Sequence, residues 1–360
     1  MEAQRLTQDG LKWLKVDICN TFGEDKLLIE QQIQWVDERY DILEALADEA
    51  ESKGEFLKAV NVLRQHDRGE KVKHMMYIDC SNQALQLYGV LTSDYETAYI
   101  CNLSSGETRT DAYGLLAKQM NAELKTDIFT RSNCKKAFMT TLYGKRGAQV
   151  AILSHMNITE QELGVMIYNN ENKHILENNE NWLGDAFSNA MKTLAPKAML
   201  AMKMIQALND ENINTYYWTM PDGFRVKYDV KRDVEYEGSR VSRNGLSFDF
   251  KTSTSIYGGT KYNAGMAPNV IHSVDGYTAR QLIRSMGDKY ITSIHDAFGV
   301  HPNDVSQLKT NYANLMIELL HSNLLEDIIK QIANGRPYTV PPKSNTLTEE
   351  QILSSVYAIA

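Results

Sequence analysis

Through the first 70 residues apolar side chains recur at helical spacing among charged ones: Leu27, Leu28, Ile33, Val36, Ile42, Leu43, Leu46, Phe56, Leu57, Val60 and Leu63. That period predicts a run of helices, with a break at Gly54. The pattern then changes. His74-Met-Met-Tyr-Ile-Asp79 is a short apolar run closed by an aspartate, which reads as a buried strand carrying Asp79 at its tip. Helical spacing resumes from Gln83 to Leu91, gives way to a loop at Asn102 to Gly106, and returns from Thr110 to Leu124.

A helix is also expected from Arg131 to about Thr141, and on it Arg131, Lys135, Met139 and then Tyr143 fall on steps of four and share one face. A long Met- and Ala-rich helical region from Thr159 to Ala207 follows, its methionines serving as core filler. Thr215-Tyr-Tyr-Trp-Thr and Phe224-Arg-Val-Lys-Tyr flank Pro221-Asp-Gly, strong turn chemistry that predicts a hairpin. Glu235 to Tyr262 has no clear period and reads as loops and short strands. Val270 opens a helix to about Met286, and Ile291-Thr-Ser-Ile-His295-Asp296 is a second short strand ending in an aspartate. A helix from Val305 to about Leu325 and a Pro-rich tail complete the pattern, with His301 and His321 assigned to the surface.

Composition adds that the chain is globular: 43% of its 360 residues are hydrophobic and 23% charged. No stretch approaches the roughly 20 apolar residues of a membrane span, and the first residues lack the apolar core of a signal peptide, so no membrane partner is expected and the location is cytoplasmic. Cys19, Cys80, Cys101 and Cys134 form no CxxC pair, which argues against a disulfide framework or a structural zinc site. The net charge of −8 speaks against a polyanionic partner until its distribution is read. Between Thr21 and Val60 eleven acidic residues face four basic ones, so this segment holds nearly the whole excess. From Ile128 to Val150 there are five basic residues, Arg131, Lys135, Lys136, Lys145 and Arg146, and no acidic one. Such a run suits a polyphosphate or a nucleic-acid backbone, although a solvated basic helix has the same letters.

Two strand-end aspartates change that balance. Hard divalent cations favour carboxylate oxygens, and two metals about 3.5–4 Å apart clamp an in-line phosphoryl displacement. Asp79 and Asp296, 217 positions apart, together with Arg131 and Lys135, make a site for a metal-bound nucleoside triphosphate.

These residues carry a resemblance to the single-subunit RNA polymerases of bacteriophages and mitochondria. Asp79-Cys-Ser-Asn-Gln-Ala-Leu-Gln86 resembles their first metal motif, Arg131-xxx-Lys135-Lys136-xx-Met139-xxx-Tyr143-Gly144 their fingers-helix motif, and His295-Asp296-Ala-Phe-Gly their second metal motif. Trp13-Leu-Lys15, Ala112-Tyr113 to Lys118, Pro221-Asp-Gly-Phe224, Ala267-Pro-Asn to Asp275-Gly and the ending Tyr357-Ala-Ile-Ala360 are similar too, in the family's order. The implied fold is α+β and helix-rich: a right-hand polymerase palm built on a small antiparallel sheet, with helical fingers and the thumb absent. The implied division is a first part of the palm over 1–105, with an acidic helical insertion over about 1–72, fingers over 106–272, and the second part of the palm with a C-terminal extension over 273–360.

The resemblance further implies that Asp79 and Asp296, helped by the carbonyl of Cys80, hold two Mg2+ ions. Arg131 and Lys135 would bind the incoming triphosphate, Lys15 would reach it from the palm, and Lys135 would protonate the leaving pyrophosphate. Met139, Tyr143 and Gly144 would pack beside the templating base and nucleotide, Tyr113 would shape the nucleotide pocket, and His272 would touch the growing product end. Lys136 would touch the template backbone, and His295 would pack or hydrogen-bond beside the metal strand. Related DNA polymerases carry a glutamate five positions after the first aspartate and His-Asp-Glu at the second metal motif. Here Ala84 and Ala297 stand at those positions, leaving room for a ribose 2′-hydroxyl that the Tyr143 phenol can bind, so RNA synthesis is expected.

One part of the family pattern is missing. The Asp-x-x-Gly-Arg template-binding segment should precede the first residues, and His66-Asp-Arg-Gly-Glu lies in the wrong place to supply it. The expectation is therefore the larger, catalytic subunit of a two-subunit phage polymerase. Its partners would be a DNA template, the RNA product, nucleoside triphosphates, a second polymerase subunit and a recruiting DNA-binding protein, and the acidic segment would face the partner chain. The competing readings are a fragment of a related DNA polymerase and a non-catalytic nucleic-acid-binding subunit.

Overall fold

The computed structural model describes residues 1–142, 147–241, 247–258 and 265–360. Its first helices form around a core of their own. Helices α1 (Gln8–Phe22), α2 (Ile29–Glu38) and α3 (Lys53–Asp67), with a 3₁₀ segment at Tyr40–Asp48, enclose Leu14, Ile18, Trp35, Val36, Leu43, Phe56, Val60 and Leu63. Most apolar positions of the sequence pattern thus point inward, Leu28 and Ile42 being exposed, and the acidic ones point outward. The break falls just ahead of α3, and Gly54 lies within its first turn, where the open side of the helix tolerates it. Thr7 caps α1, and Gly23, left-handed at φ +117°, ends it with backbone bonds to Asn20 and Cys19. That stop turns the chain into the loop that carries Asp25 and Lys26.

The strand of the sequence pattern is β1 (Met76–Asp79), followed at once by α4 (Gln83–Thr92), which Asn82 caps and which is buried on all sides. After α5 (Tyr95–Ile100) come α6 (Ala112–Leu124) and α7 (Arg131–Leu142), packed on each other. The Met- and Ala-rich region is divided among α9 (Glu160–Ile167), α10 (Lys173–Asn178), α11 (Trp182–Leu194) and α12 (Pro196–Gln206), with α8 (Ala148–Met156) ahead of it. Pro196 at the first turn of α12 explains one of these breaks, because proline fits helix starts and not interiors.

β2 (Thr215–Thr219) and β3 (Arg225–Asp229) form the expected hairpin. The next segment departs from the expectation of loops and short strands: β4 (Lys231–Val241) and β5 (Ser247–Tyr257) pair antiparallel over eleven residues each. Its β-branched and aromatic residues are diluted by Ser and Gly, which hid the period. Helix α13 (Met266–Ser285) then leads to β6 (Ile291–Ile294) and β7 (Ala297–Val300), and α14 (Val305–His321), α15 (Leu324–Ala333) and α16 (Glu349–Leu353) finish the chain.

One three-stranded antiparallel sheet, in the order β1-β7-β6, sits where these elements meet. Met76 pairs with Val300 and Asp79 with Ala297, while Ile294 pairs with Ala297 across the two-residue turn His295-Asp296. The far edge of β1 is covered by the chain end, where Ala360 exchanges backbone bonds with Asp79. A continuous core including Tyr88, Phe138, Trp218, Phe298 and Tyr312 runs beneath the sheet and through the helices beyond it. His301, assigned to the surface from sequence, is buried at the end of β7, its Nε2 3.4 Å from the Val72 carbonyl. Among the described residues no helix is long and apolar enough to cross a membrane.

Candidate active site

The sheet register brings the two aspartates together. Because β1 runs antiparallel to β7 with Asp79 opposite Ala297, Asp296 lies diagonally beside Asp79, and the Cys80 N–H donates to the Asp296 carbonyl at 3.3 Å. Asp296 occupies the second position of the β6–β7 turn. The first is His295, held at φ +56°, a left-handed conformation in which a non-glycine residue costs about 1–2 kcal/mol. Strain of this kind is kept where the turn must present a particular side chain.

Both carboxylates open into a cleft of about 680 Å³, a size that suits a nucleotide. Burial in the cleft, and then the charge of Asp296, push the Asp79 carboxyl up to about 6, while Lys135 and Lys26 pull in the other direction. Asp275 on α13 is also raised to about 6, by burial and then by Asp296. Two carboxylates crowded at a strand end, electrostatically strained without a cation, are the donor set a hard divalent ion would relieve. Among the described residues no group of three or more His, Cys, Asp or Glu is placed to hold a metal, so the fit rests on this pair and on backbone oxygen. Burial holds the Cys80 thiol protonated, which leaves its carbonyl as the atom with ligand chemistry.

Cations line the opposite wall. Arg131, Lys135 and Met139 of α7 face the cleft on successive turns, together with Tyr113 of α6. The Arg131 guanidinium lies 5.3 Å and the Lys135 ammonium 5.9 Å from the Tyr113 ring centre, and Tyr113 is set edge-on against Phe138. The Tyr113 hydroxyl accepts from Asn82 Nδ2 at 3.4 Å, which ties this wall to the start of α4. Arg131 Nε donates to Asp111 Oδ2 at 3.0 Å, an exposed pair that a stronger anion can displace.

The other expected site residues are placed as follows. Tyr143 and Gly144, with Lys145 and Arg146, lie outside the described residues. Lys15 is paired with Asp37 on α2 at 2.5 Å and takes no part in the cleft lining. Lys26, from the α1–α2 loop, lines the cleft instead and its charge reaches Asp79. Ala84 is buried in the core one residue beyond Gln83, which does line the cleft. Lys136 is exposed on α7 outside the lining. His295 precedes Asp296 in the turn and His272 lies on α13, both exposed and outside the cleft lining; partial desolvation of the ring, then the charge of His295, hold the His272 imidazole below its usual range. Asp222 in the β2–β3 turn accepts from Arg280 Nε at 2.6 Å and Nη2 at 3.1 Å, fastening the Pro221–Phe224 segment to α13.

Sequence reasoning missed Lys26, Arg109, Asp111 and Asp275. Lys26 was hidden because it sits inside the acidic stretch, where it counted only as a minor offset. Asp275 stands within one of the family motifs, and its nearness to His295-Asp296 follows only from the packing of α13 against β6.

Comparison with known proteins gives one family. The family model described as DNA-dependent RNA polymerase matches residues 4–356. A DNA-directed RNA polymerase of Pseudomonas phage phiKMV is 25% identical over 97% of the chain and 47% of its own length. T7 RNA polymerase of Escherichia phage T7 is 23% identical over 98% of the chain and 49% of its own length. The mitochondrial DNA-directed RNA polymerase 1 of Arabidopsis thaliana is 23% identical over 99% of the chain and 40% of its own length. The chain thus spans about half the length, or less, of these relatives.

Proposed function

The chain belongs to the DNA-dependent RNA polymerase family of the single-subunit phage and mitochondrial type, and we propose that it is a catalytic polymerase chain that adds ribonucleotides to an RNA 3′ end on a DNA template. One observation carries the reading: Asp79 and Asp296 stand side by side at the end of a sheet and face Arg131, Lys135 and Lys26 across one cleft. In this reading the sheet with α4, α13 and α14 is the palm and α6 to α12 are the fingers.

Asp79 and Asp296, with the Cys80 carbonyl, would hold the magnesium ions. Bound there, magnesium supplies Lewis-acid neutralisation of the phosphate oxygens. The chain's own side chains do the rest. The Arg131 fork leaves Asp111 and takes phosphate oxygens, a bidentate exchange that favours the more highly charged anion. Lys26 reaches the same triphosphate from the α1–α2 loop, the role that the resemblance implied for Lys15. Lys135 gives a proton to the departing pyrophosphate, and Tyr113 with Met139 shapes the space for the base and sugar. The roles that the resemblance implies for Tyr143 with Gly144, Ala84, His272, His295 and Lys136, around the sugar, the product end and the template, are part of the same proposal. Preorganised charge around a phosphoryl group in transit is the main catalytic effect asked of such a site.

The reading includes a second chain that grips the template and hybrid, and a recruiting DNA-binding protein, in the cytoplasm of an infected bacterial host. The test is extension of a primed RNA on single-stranded DNA with ribonucleotides and magnesium, by this chain with and without a second chain bearing the template-binding segment. Extension should require the second chain and should fall by roughly a thousandfold in Asp296→Asn. Undiminished extension by that variant would remove the carboxylate assignment, and equal use of deoxynucleotides would favour a DNA polymerase.

A further inference from the structure

Lys26 stands on a loop, and an exposed loop lysine is ordinarily mobile. Here the loop is fastened from outside. Arg109, in the segment between α5 and α6, donates through Nη1 to the carbonyl of Asp25 at 2.5 Å and to the carbonyl of Leu27 at 3.2 Å. These are the two residues that flank Lys26. The Arg109 guanidinium also lies over the Tyr357 ring at 5.7 Å, and the Tyr357 hydroxyl accepts from the Ile29 N–H at 3.1 Å. Residues 25 to 29 are therefore held by one side chain from the α5–α6 segment and one from the chain end. Arg109, Asp25, Lys26 and Tyr357 all line the same cleft as Asp79 and Asp296.

The chemistry of Arg109 is unusual for a residue that only fills space. Its Nη1 bonds go to neutral carbonyls rather than to a carboxylate, so burial lowers its basicity and the nearby charges of Asp25 and Asp111 offset this only in part. It also adds a positive charge near Arg131, a repulsion that Asp25 and Asp111 moderate.

We propose that Arg109 is a positioning residue: by clamping the carbonyls on either side of Lys26 it holds that ammonium in the cleft, opposite Asp79, for a metal-bound nucleoside triphosphate. The inference rests on the polymerase reading above and adds a residue that the motifs do not contain. Both bonds leave from Nη1, which lies one atom farther out along the side chain than a lysine ammonium, so Arg109→Lys keeps the charge but falls short of the two carbonyls and loses the planar contact with Tyr357.

The test uses the full template-bound assembly and compares Arg109→Met, Arg109→Lys, Lys26→Met and the Arg109→Met/Lys26→Met double variant. Lys26→Met should raise KM for the nucleotide about tenfold, and Arg109→Met should raise it several-fold with kcat within about twofold. The double variant should be no worse than Lys26→Met alone, because the clamp acts only through Lys26. Arg109→Lys should resemble Arg109→Met. On the chain itself, hydrogen exchange should quicken at residues 25–29 in both Arg109 variants and stay unchanged in β1. Additive losses, rescue by lysine, or unchanged protection of the loop would each overturn the inference. An assembly that extends no RNA at all would instead count against the polymerase reading, and the exchange measurement would still decide the clamp.

Discussion

On one side of the cleft Asp79 and Asp296 are fixed by the backbone: each belongs to a strand end or turn whose neighbours are paired on the sheet, and β1 is paired on both edges. On the other side the cations stand on exposed helix and loop positions, and two of them already hold a carboxylate, Arg131 with Asp111 and Lys26 with Asp25. The anionic wall is rigid and electrostatically strained, whereas the cationic wall is adjustable and temporarily satisfied. On the proposed reading, a site divided in this way would keep the metal position constant while the triphosphate ligands exchange partners as substrate enters and product leaves.

Changes on the cationic wall should therefore be graded by how directly each side chain reaches the phosphate. The largest effect is expected for Lys135→Ala, where loss of the proton donor should lower kcat by about a hundredfold in single-nucleotide extension. Lys26→Met should cost about tenfold in kcat/KM, whereas Lys15→Met, whose ammonium is engaged by Asp37, should stay within about twofold. Equal losses from Lys15 and Lys26 would erase the distinction between the two lysines. Asp111→Asn should act in the favourable direction. Asparagine still caps α6, but the competitor for Arg131 is weakened, so nucleotide KM should fall by roughly two- to threefold in a steady-state assay.

The anionic wall makes its own prediction about pH. Asp79 and Asp275 are both raised to about 6, chiefly by burial and then by Asp296. A carboxyl that holds its proton more firmly folded than unfolded adds stability below about pH 4, and that stability is lost as pH rises through about 6. Without magnesium, raising pH from about 5 to about 7.5 should thus lower the thermal midpoint of the wild-type chain more than that of Asp79→Asn. The gap should be on the order of a degree or two and should close when magnesium is added.

The same contrast explains what could be read from the sequence. β1, β6, α4 and α7 were legible because each has a clean period and a sharp stop, and the aspartates at Asp79 and Asp296 closed two of those runs. The partnership of Asp79 with Asp296 rested on the family motifs, since nothing local in either run fixes an antiparallel register across 217 positions. The long β4–β5 hairpin was not legible, because Ser and Gly dilute its alternation. Lys26 was concealed by net charge, which averages over a segment most of whose acidic residues face solvent while Lys26, with Asp25, faces the cleft. Arg109 was concealed for a different reason: its partners are backbone carbonyls, and a carbonyl has no letter in the sequence.

The division into two walls is tested most directly by the magnesium dependence of nucleotide binding. Affinity for the next ribonucleotide would be measured in the primed, template-bound assembly with a terminated RNA 3′ end, for the wild-type chain and for Asp79→Asn with Asp296→Asn. The wild type should bind at least about tenfold more tightly with magnesium than without, and the double variant should lose that gain while keeping the metal-free affinity that Arg131, Lys135 and Lys26 supply. Affinity that is indifferent to magnesium in the wild type, or a magnesium effect that survives without both aspartates, would contradict the account.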